Sequence, residues 1–256
     1  MSPDAEHDPH LADSAGQPWK GRHFESHGYE SDDGAASAAL IGALTAFREG
    51  RAGQADVVDA VRSARLLVPL VAHAGDEGLT AEGLRVDKTQ ELSLVTVAGP
   101  DGRTVLPVFS SVEALSVWNP TARPIPVASR RAALAAAAEQ TDVMVLDPGS
   151  PTEFAVRRPA LWAIAQDAPW TPAAESPEVL AGFRDSVAKE SAVTGVAVAA
   201  GDPDARLAAP EVVVELSLVP GLDAAALSAL LGRLQESWAS DEVIAGAVDS
   251  LAVRLR

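Results

Sequence analysis

Residues 92–118, LSLVTVAGPDGRTVLPVFSSVEALSVW, predict a strand, a tight turn, a second strand and a helix in direct succession. Residues 92–97 alternate with the period of a strand. The sequence Gly99-Pro100-Asp101-Gly102 concentrates residues that form turns, and residues 104–109 are again strand formers. Together these features predict a β-hairpin, followed by a helix with Ser111 as its cap.

Two prolines lie inside predicted strands. Pro107 belongs to the second strand of the hairpin, and Pro69 belongs to an apolar run at residues 66–71. Because proline has no N–H to donate to a ladder, Pro69 is predicted at a sheet edge or a bulge, and the strand that contains Pro107 is predicted to be an edge, bulged or shifted.

The rest of the chain extends the pattern on both sides of the hairpin. Residues 73–87 predict a polar loop, and the proline-rich residues 167–176 predict a linker. We therefore predict an α/β fold of the α+β type, with two mixed-sheet domains and flanking helices. The first domain covers residues 36–170, and a smaller α-β-β-α-β domain covers residues 171–256. The predicted helices are 36–48, 54–64, 128–141, 159–165, 176–187 and 227–238; the remaining strands are 125–127, 142–146, 153–156, 193–199, 211–219 and 251–255.

Residues 1–35 predict a disordered acidic tail. Residues 1–34 carry eight acidic and two basic side chains and few aliphatic ones, too little apolar surface to offset the entropy of ordering. His7 and His10 lie near acidic residues, which raises a metal site as an alternative. Their spacing matches no closed ligand set, so a solvated tail is favoured. For His73, Asp76 and Glu77 a polar loop without metal is likewise favoured.

The composition excludes several classes of function. The net charge is −16, which disfavours a nucleic-acid partner, and the absence of cysteine excludes disulfides, thiol nucleophiles and cysteine-based metal sites. A reducing compartment fits this composition. We see no signal peptide and no apolar run long enough to span a membrane, so a cytoplasmic location without membrane association is expected.

The sequence offers no catalytic set. It has no G-x-S-x-G elbow and no phosphate-binding glycine motif, and His73 is the only histidine outside the tail. Ser110 and Ser111 are available hydroxyls, while the Asp76-Glu77 and Asp241-Glu242 pairs are interpreted as solvated surface. We expect a protein that is not an enzyme and has no catalytic residue, metal or cofactor; a hydrolase is the less favoured alternative.

The leading hypothesis is an interaction or regulatory module. Phe109, Trp118 and Arg123 could line a groove for a partner peptide or small ligand, since aromatic residues and arginine dominate contact energies. Asp101 and Arg103 in the hairpin turn complete the predicted binding set. Alternatively, Phe109 and Trp118 are core residues and Arg123 is an ordinary surface cation. An exposed strand at residues 211–219 could also pair between two chains and give a homodimer.

Residues 36–170 contain a combination of short motifs: Leu67-Val68-Pro69, Pro100-Asp101-Gly102-Arg103, Leu106-Pro107-Val108-Phe109-Ser110-Ser111, Trp118, Ala122-Arg123-Pro124 and Val145-Leu146-Asp147-Pro148. By these residues the segment resembles the SseB N-terminal domain family in its actinobacterial form. The resemblance implies a cytoplasmic bacterial α/β domain of poorly defined role and brings no catalytic residues. A small-metabolite sensor or a protein related to serine metabolism is the alternative.

Overall fold

The computed structural model describes residues 32–72, 77–79, 85–87, 92–138 and 141–256, with side chains for 32–70, 95–138 and 141–256. Residues Gly34–Arg256 form one compact unit. The predicted disorder of the tail concerns residues that lie almost entirely outside this description. No helix among the described residues is long and apolar enough to cross a membrane.

The fold is α+β, as predicted. In the N-terminal segment (residues 36–170), helices α1 and α2 lead into a series of short strands and three further helices. The elements are α1 Ala38–Arg48, α2 Gln54–Arg62, β1 Arg65–Ala72, β2 Glu77–Leu79, β3 Arg85–Asp87, β4 Leu92–Leu94, β5 Val97–Ala98, β6 Thr104–Val108, α3 Val112–Trp118, β7 Arg123–Ala128, α4 Ser129–Ala138, β8 Met144–Leu146, β9 Phe154–Val156 and α5 Arg158–Gln166.

These strands form two main sheets, in the orders β4-β1-β7 and β5-β6-β8-β9. The first sheet is antiparallel, whereas β6 and β8 run parallel in the second. Strands β2 and β3 pair antiparallel with each other. The prediction of a loop over residues 73–87 is therefore wrong at these two strands, which are only three residues long and too short to show a period.

The predicted hairpin is present as β5 and β6, with Val97 opposite Val105. The Gly99 N–H donates to the Arg103 carbonyl at 2.7 Å, and Gly102 has a φ of 82°, which suits a residue without Cβ. The first strand of the hairpin is divided, because residues 92–94 form β4 and pair with β1 in the other sheet. The predicted hairpin segment, residues 92–109, thus begins in the first sheet as β4 and continues in the second sheet as β5 and β6.

Both strand prolines lie where a ladder hydrogen bond is not required. Leu106 N–H bonds to the Val143 carbonyl and Asp147 N–H to the Val108 carbonyl, so the intervening Pro107 faces the opposite side, where the pairing with β5 has already ended. As whole strands, β6 and β1 are both middle strands of their sheets, so the prediction of an edge strand is wrong for both prolines. Pro69 lies in β1. Its pairing with β4 starts only at Leu70, which leaves a local gap at the proline.

The C-terminal segment (residues 171–256) has the predicted mixed sheet. Its elements are a 3₁₀ helix Ala173–Glu175, α6 Pro177–Val187, β10 Val193–Ala200, β11 Val212–Leu218, α7 Ala224–Ser240, α8 Glu242–Ala247 and β12 Leu251–Leu255. The sheet order is β10-β11-β12, antiparallel and then parallel. Strand β11 is central, so the prediction that residues 211–219 offer an edge to a second chain is wrong.

Each segment has its own main core. The N-terminal core is built from helices α1, α2, α4 and α5 and the strands they cover, and it also takes in Ala205 from the C-terminal segment. The second core joins Val214 and Leu216 of β11 to Phe183, Leu234 and Trp238 of the covering helices. Division into two domains near residue 170 stays a prediction. The N-terminal core includes Leu40, Leu44, Val57, Val61, Leu66, Val108, Ala133, Leu146, Phe154 and Ile164.

The connection between β10 and β11 crosses to the other segment, a feature that the sequence did not predict. Ala205 enters the N-terminal core and Leu207 enters a smaller cluster with Val105 and Val143. Ala205 and Leu207 have φ values of 50° and 56°, and the Ala205 carbonyl accepts a hydrogen bond from Ala155 of β9. We call residues 201–211 the crossing loop.

Candidate binding sites

The hairpin turn brings two predicted site residues, Asp101 and Arg103, to the C-terminal segment. Arg103 Nε donates to Asp101 Oδ2 at 2.7 Å, and its two terminal nitrogens each donate to one oxygen of Asp249 at 3.0 Å. This bidentate geometry matches the planar guanidinium to the carboxylate.

Arg157, which follows β9, extends this arrangement inward. Its Nη2 donates to Asp202 Oδ2 at 2.7 Å and its Nη1 donates to Asp249 Oδ2 at 3.1 Å. The Arg157, Asp202 and Asp249 side chains are 7%, 3% and 2% exposed, so these charges are buried as a set. We call Asp101, Arg103, Arg157, Asp202 and Asp249 the ion cluster.

Burial and hydrogen bonding shift the pKa values of two members of the ion cluster, Asp249 and Arg103, and of the neighbouring Glu211. Burial opposes ionisation of Asp249, but hydrogen bonds from Arg103 and Arg157 outweigh it, so the pKa of Asp249 is lowered. Burial likewise opposes the charge of Arg103, yet its hydrogen bonds to Asp249 and Asp101 raise its pKa. Glu211 accepts the Asp249 N–H at 2.6 Å and has its pKa raised, chiefly by burial.

A cleft of about 500 Å³ borders the ion cluster and is lined by Asp101, Arg103 and Arg157 together with the crossing loop. All three nitrogens of Arg103 and both terminal nitrogens of Arg157 already donate to protein oxygens. The charges of both arginines are thus already paired with carboxylates, which disfavours an anionic ligand. The ion cluster is therefore best described as a joint between the two segments.

The other three predicted site residues lie at the opposite end of β6. Phe109 is fully buried, and its ring centroid is 5.2 Å from that of the half-buried Trp118. Phe109 is thus a core residue, in agreement with the alternative interpretation of its sequence position. Arg123 is exposed on β7, with no hydrogen bond or ion pair to any described side chain. Six residue steps along an extended strand place Arg103 about 20 Å from Phe109. The five residues do not form one site, and a binding role for them stays a prediction.

Ser110, the serine considered as a nucleophile, is tied to a buried carboxylate. Its backbone N–H and its hydroxyl each donate to Asp147 at 2.7 Å, and Thr152 also donates to that carboxylate. Ser110 is 2% exposed and Asp147 is 1% exposed. The arrangement links the loops after β6 and β8. A substrate could not reach this hydroxyl without the loops opening.

Sequence reasoning missed a groove between α5, α8 and residues 168–171. Its volume is about 630 Å³, and its walls include Trp162, Trp170 and Val243. Trp162 is 57% exposed and Val243 is 42% exposed, so two large apolar side chains face solvent in the same groove. We call this the Trp162 groove. A signal was present in the sequence: Ala160, Leu161 and Ile164 form the buried stripe of α5, and Trp162 lies off that stripe.

The two charged side chains along the Trp162 groove, Arg158 and Glu178, differ in whether they already have hydrogen-bond partners in the protein. Arg158 donates to the Ala245 and Val248 carbonyls at 3.0 and 2.9 Å and so completes the C-terminal end of α8. Glu178 is exposed and has no hydrogen bond or ion pair within the described part of the chain. The groove thus offers a ligand apolar walls, the partly engaged guanidinium of Arg158 and the Glu178 carboxylate, which is free of partners among the described residues.

No group of three or more potential metal ligands occurs among the described residues. The histidines and Asp76 considered as ligands lie outside those residues, and Glu77 lies in β2, where side chains are not described. Asp241, interpreted as solvated surface, instead caps α8 by accepting from the Val243 and Ile244 N–H groups at 2.9 Å each.

The described architecture is that of an α+β protein whose N-terminal segment carries a parallel β6–β8 pair flanked by helices. Residues 40–163, just under half of the chain, match the model of the SseB protein N-terminal domain, so this segment belongs to that domain family. The matched range includes both ends of β6 and stops within α5. No curated protein and no solved structure matches the chain.

Proposed function

We propose that this SseB family protein is a non-enzymatic interaction protein that holds a short, apolar peptide with a basic residue in the Trp162 groove. The observation that carries the proposal is the indole of Trp162, 57% exposed at the wall of a groove of about 630 Å³. Pockets that bind small ligands or peptide side chains have volumes in this range.

The aromatic and charged side chains of the Trp162 groove indicate which kind of peptide it would bind. Exposed tryptophan faces attract both apolar side chains and cations. Arg158 keeps its charge, but its Nη2 already donates to two carbonyls, whereas the Glu178 carboxylate has no partner within the described part of the chain. The net charge of −16 adds long-range attraction for a basic partner. These features together favour a cationic, apolar segment over an acidic one.

Two further parts of the proposal have their own support. The buried Ser110–Asp147 contact favours a binding role over serine-based hydrolysis. The absence of cysteine and the arginine- and alanine-rich composition support a cytoplasmic protein of the actinobacterial type.

Selection from a random peptide library on the full chain tests this function. We expect enriched peptides to carry Lys or Arg beside apolar residues. Trp162→Ala should weaken their binding about 30-fold, the effect of losing a central aromatic contact. Leu134→Ala is the matched control, because Leu134 is 53% exposed on α4 and lies away from the groove lining.

A second pair of variants tests the charge. Glu178→Lys should weaken binding, whereas Glu236→Lys on the exposed side of α7 should not. Enrichment of acidic peptides, or binding that survives Trp162→Ala in a folded protein, would overturn the proposal. Thermal unfolding of each variant establishes that the fold is retained.

A further inference from the structure

Strand β10, VTGVAVAA, forms an edge that is unprotected beyond the register shift between Val193 and Gly195. It is eight residues long, lies at the end of the β10-β11-β12 order and contains no charged residue and no proline. Open edges of this kind pair readily with another chain, and natural sheets usually protect them. β10 lies outside the Trp162 groove, so a role for this edge goes beyond the peptide binding proposed for that groove.

The other edge strands with described side chains are protected. β7 carries Pro124 and Pro126, and β12 carries Arg254. β5 has only two residues, and β9 is covered by the Ala205 carbonyl, which accepts from Ala155. The contrast indicates that the edge of β10 is open because something pairs with it.

The hydrogen-bonding groups on this edge can be assigned. Gly201 N–H donates to the Glu211 carbonyl at 2.8 Å, so in an antiparallel ladder every second residue from there faces β11. The residues between them, Val196, Val198 and Ala200, therefore direct N–H and C=O groups outward. No described residue donates to or accepts from these outward groups.

The side chains at the edge are also incompletely covered. Val196 and Val198 pack against the second core but are only half-buried, whereas Val214 and Leu216, their cross-strand neighbours on β11, have no exposure. Ala197 and Ala199 lie exposed on the other face. An added strand with apolar residues at alternate positions would complete the cover.

We propose that the strand which pairs with β10 is β10 of a second copy of this chain. An antiparallel pair with its two-fold axis at Ala197 places Val196 opposite the partner's Val198, so outward groups meet outward groups. The valines fall on the core face of both sheets, and no like charges meet because the strand has none. One contact covers both open edges and joins the two sheets into one of six strands.

The second copy is favoured over an unrelated extended peptide by this self-complementarity. Glycine, alanine and valine would meet alanine and valine at every position near the axis, where an unrelated peptide would need the same pattern. The strand supplies no charge or pocket that would select another sequence.

Sedimentation equilibrium of the full chain, combined with amide exchange, tests the proposal. We expect the mass to rise from 26.4 kDa towards twice that value as the concentration increases to about 100 μM. The amides of Val196 and Val198 should become protected over the same range, since these groups gain partners only in the dimer. A monomer up to about 500 μM would overturn the proposal.

Two variants locate the contact. Ala197→Lys brings two like charges together at the axis and should raise the dissociation constant at least about tenfold. The monomer tolerates this lysine, because Ala197 is exposed and lies opposite Glu215 on β11. Val198→Pro removes an outward N–H together with part of the valine contact to the second core, and should also weaken the dimer; thermal unfolding of this variant establishes that the fold is retained.

Ala252→Lys is the matched control. Ala252 lies opposite Val213, on the same open face as Ala197 but on the far strand β12, so this change should leave the dimer intact. A dimer that persists in Ala197→Lys and Val198→Pro, or one that Ala252→Lys dissociates, would place the contact elsewhere and overturn the proposal. The Trp162→Ala variant should dimerise normally, which separates this result from the peptide-binding test.

Discussion

At the scale of single residues, the ion cluster places two arginines among three aspartates where the segments meet. Arg157, Asp202 and Asp249 are almost completely buried, so each charge depends on its partners for stability. Such sets contribute little net stability as a whole, but removing one member leaves the others uncompensated. The cluster therefore determines which residues of the two segments meet, and adds little to the net stability of their contact.

The raised pKa of Glu211 predicts a pH dependence of stability. A carboxyl group whose pKa is higher in the folded state stabilises the fold below its unfolded pKa of about 4.3, and this contribution is lost as the pH rises through the folded value. We expect Glu211→Gln, which cannot ionise but can still accept from Asp249, to gain stability relative to the wild type as the pH rises from about 4.3 to 7.

Urea unfolding at a series of pH values measures this difference. Glu236→Gln, on the exposed side of α7, is the control and should show no pH-dependent difference from the wild type. A Glu211→Gln difference that is constant with pH would contradict the prediction. Asp249 acts in the opposite sense: its lowered pKa contributes stability above about 3.9 that is lost on further acidification, so the test stays above that range.

At the scale of elements, the crossing loop depends on a close approach at its base. Gly201 N–H bonds to Glu211, and a Cβ on Gly201 would overlap the Pro210 carbonyl oxygen. The backbone must then shift, because a carbonyl cannot rotate away as a flexible side chain can. This glycine fixes where the loop leaves β10 and where it returns.

We expect Gly201→Ala to lower the free energy of unfolding by about 3 kcal/mol, as strained backbone substitutions do. Gly232→Ala is the matched control, since a Cβ there meets nothing within 4 Å and the residue lies inside α7. That change should raise stability by about 1 kcal/mol through helix propensity. Chemical unfolding of both variants measures the difference, and equal effects would contradict it.

Elements whose own residues show a clear hydrophobic period were predictable from the sequence. The boundaries of β12 agree with the prediction, and those of α6 and β11 agree to within one residue at each end. α8 was missed because it has only six residues, fewer than two helical turns. The division of residues 92–98 between two sheets was also missed, since local alternation does not identify the pairing strand.

At the scale of the whole molecule, the two segments are joined by the ion cluster and the crossing loop. Arg48 adds to the junction, with Nη1 donating to the Asp204 carbonyl at 2.7 Å. Because Ala205 belongs to the N-terminal core, that core is incomplete without the C-terminal segment. We therefore expect the two segments to unfold together.

Scanning calorimetry of the full chain should show a single transition whose calorimetric and van't Hoff enthalpies agree. Arg157→Ala should lower the free energy of unfolding by about 3 to 5 kcal/mol, since buried Asp202 loses its ionic partner and Asp249 keeps only Arg103. Arg233→Ala, which removes an exposed pair with Glu190, should change it little. Two separate wild-type transitions would contradict this expectation.

The candidate sites were less predictable than the fold because each is assembled from distant residues. Arg103 and Asp249 are 146 positions apart, and neither lies in a sequence motif from which the other could be predicted. The groove brings Trp162 of α5 beside Val243 of α8, a helix that was not predicted at all. Single-sequence patterns report a residue's own element, whereas these contacts depend on how elements pack.

The crossing loop also has a consequence for synthesis on the ribosome. The N-terminal segment ends near residue 170, but its core and its neighbouring cluster lack Ala205 and Leu207 until those residues have been made. At a synthesis rate of about 5 to 20 residues per second, part of the apolar surface of the N-terminal segment stays uncovered for a few seconds. Translation speed across residues 171–207 thus sets how long the growing chain is exposed to chaperones and to aggregation.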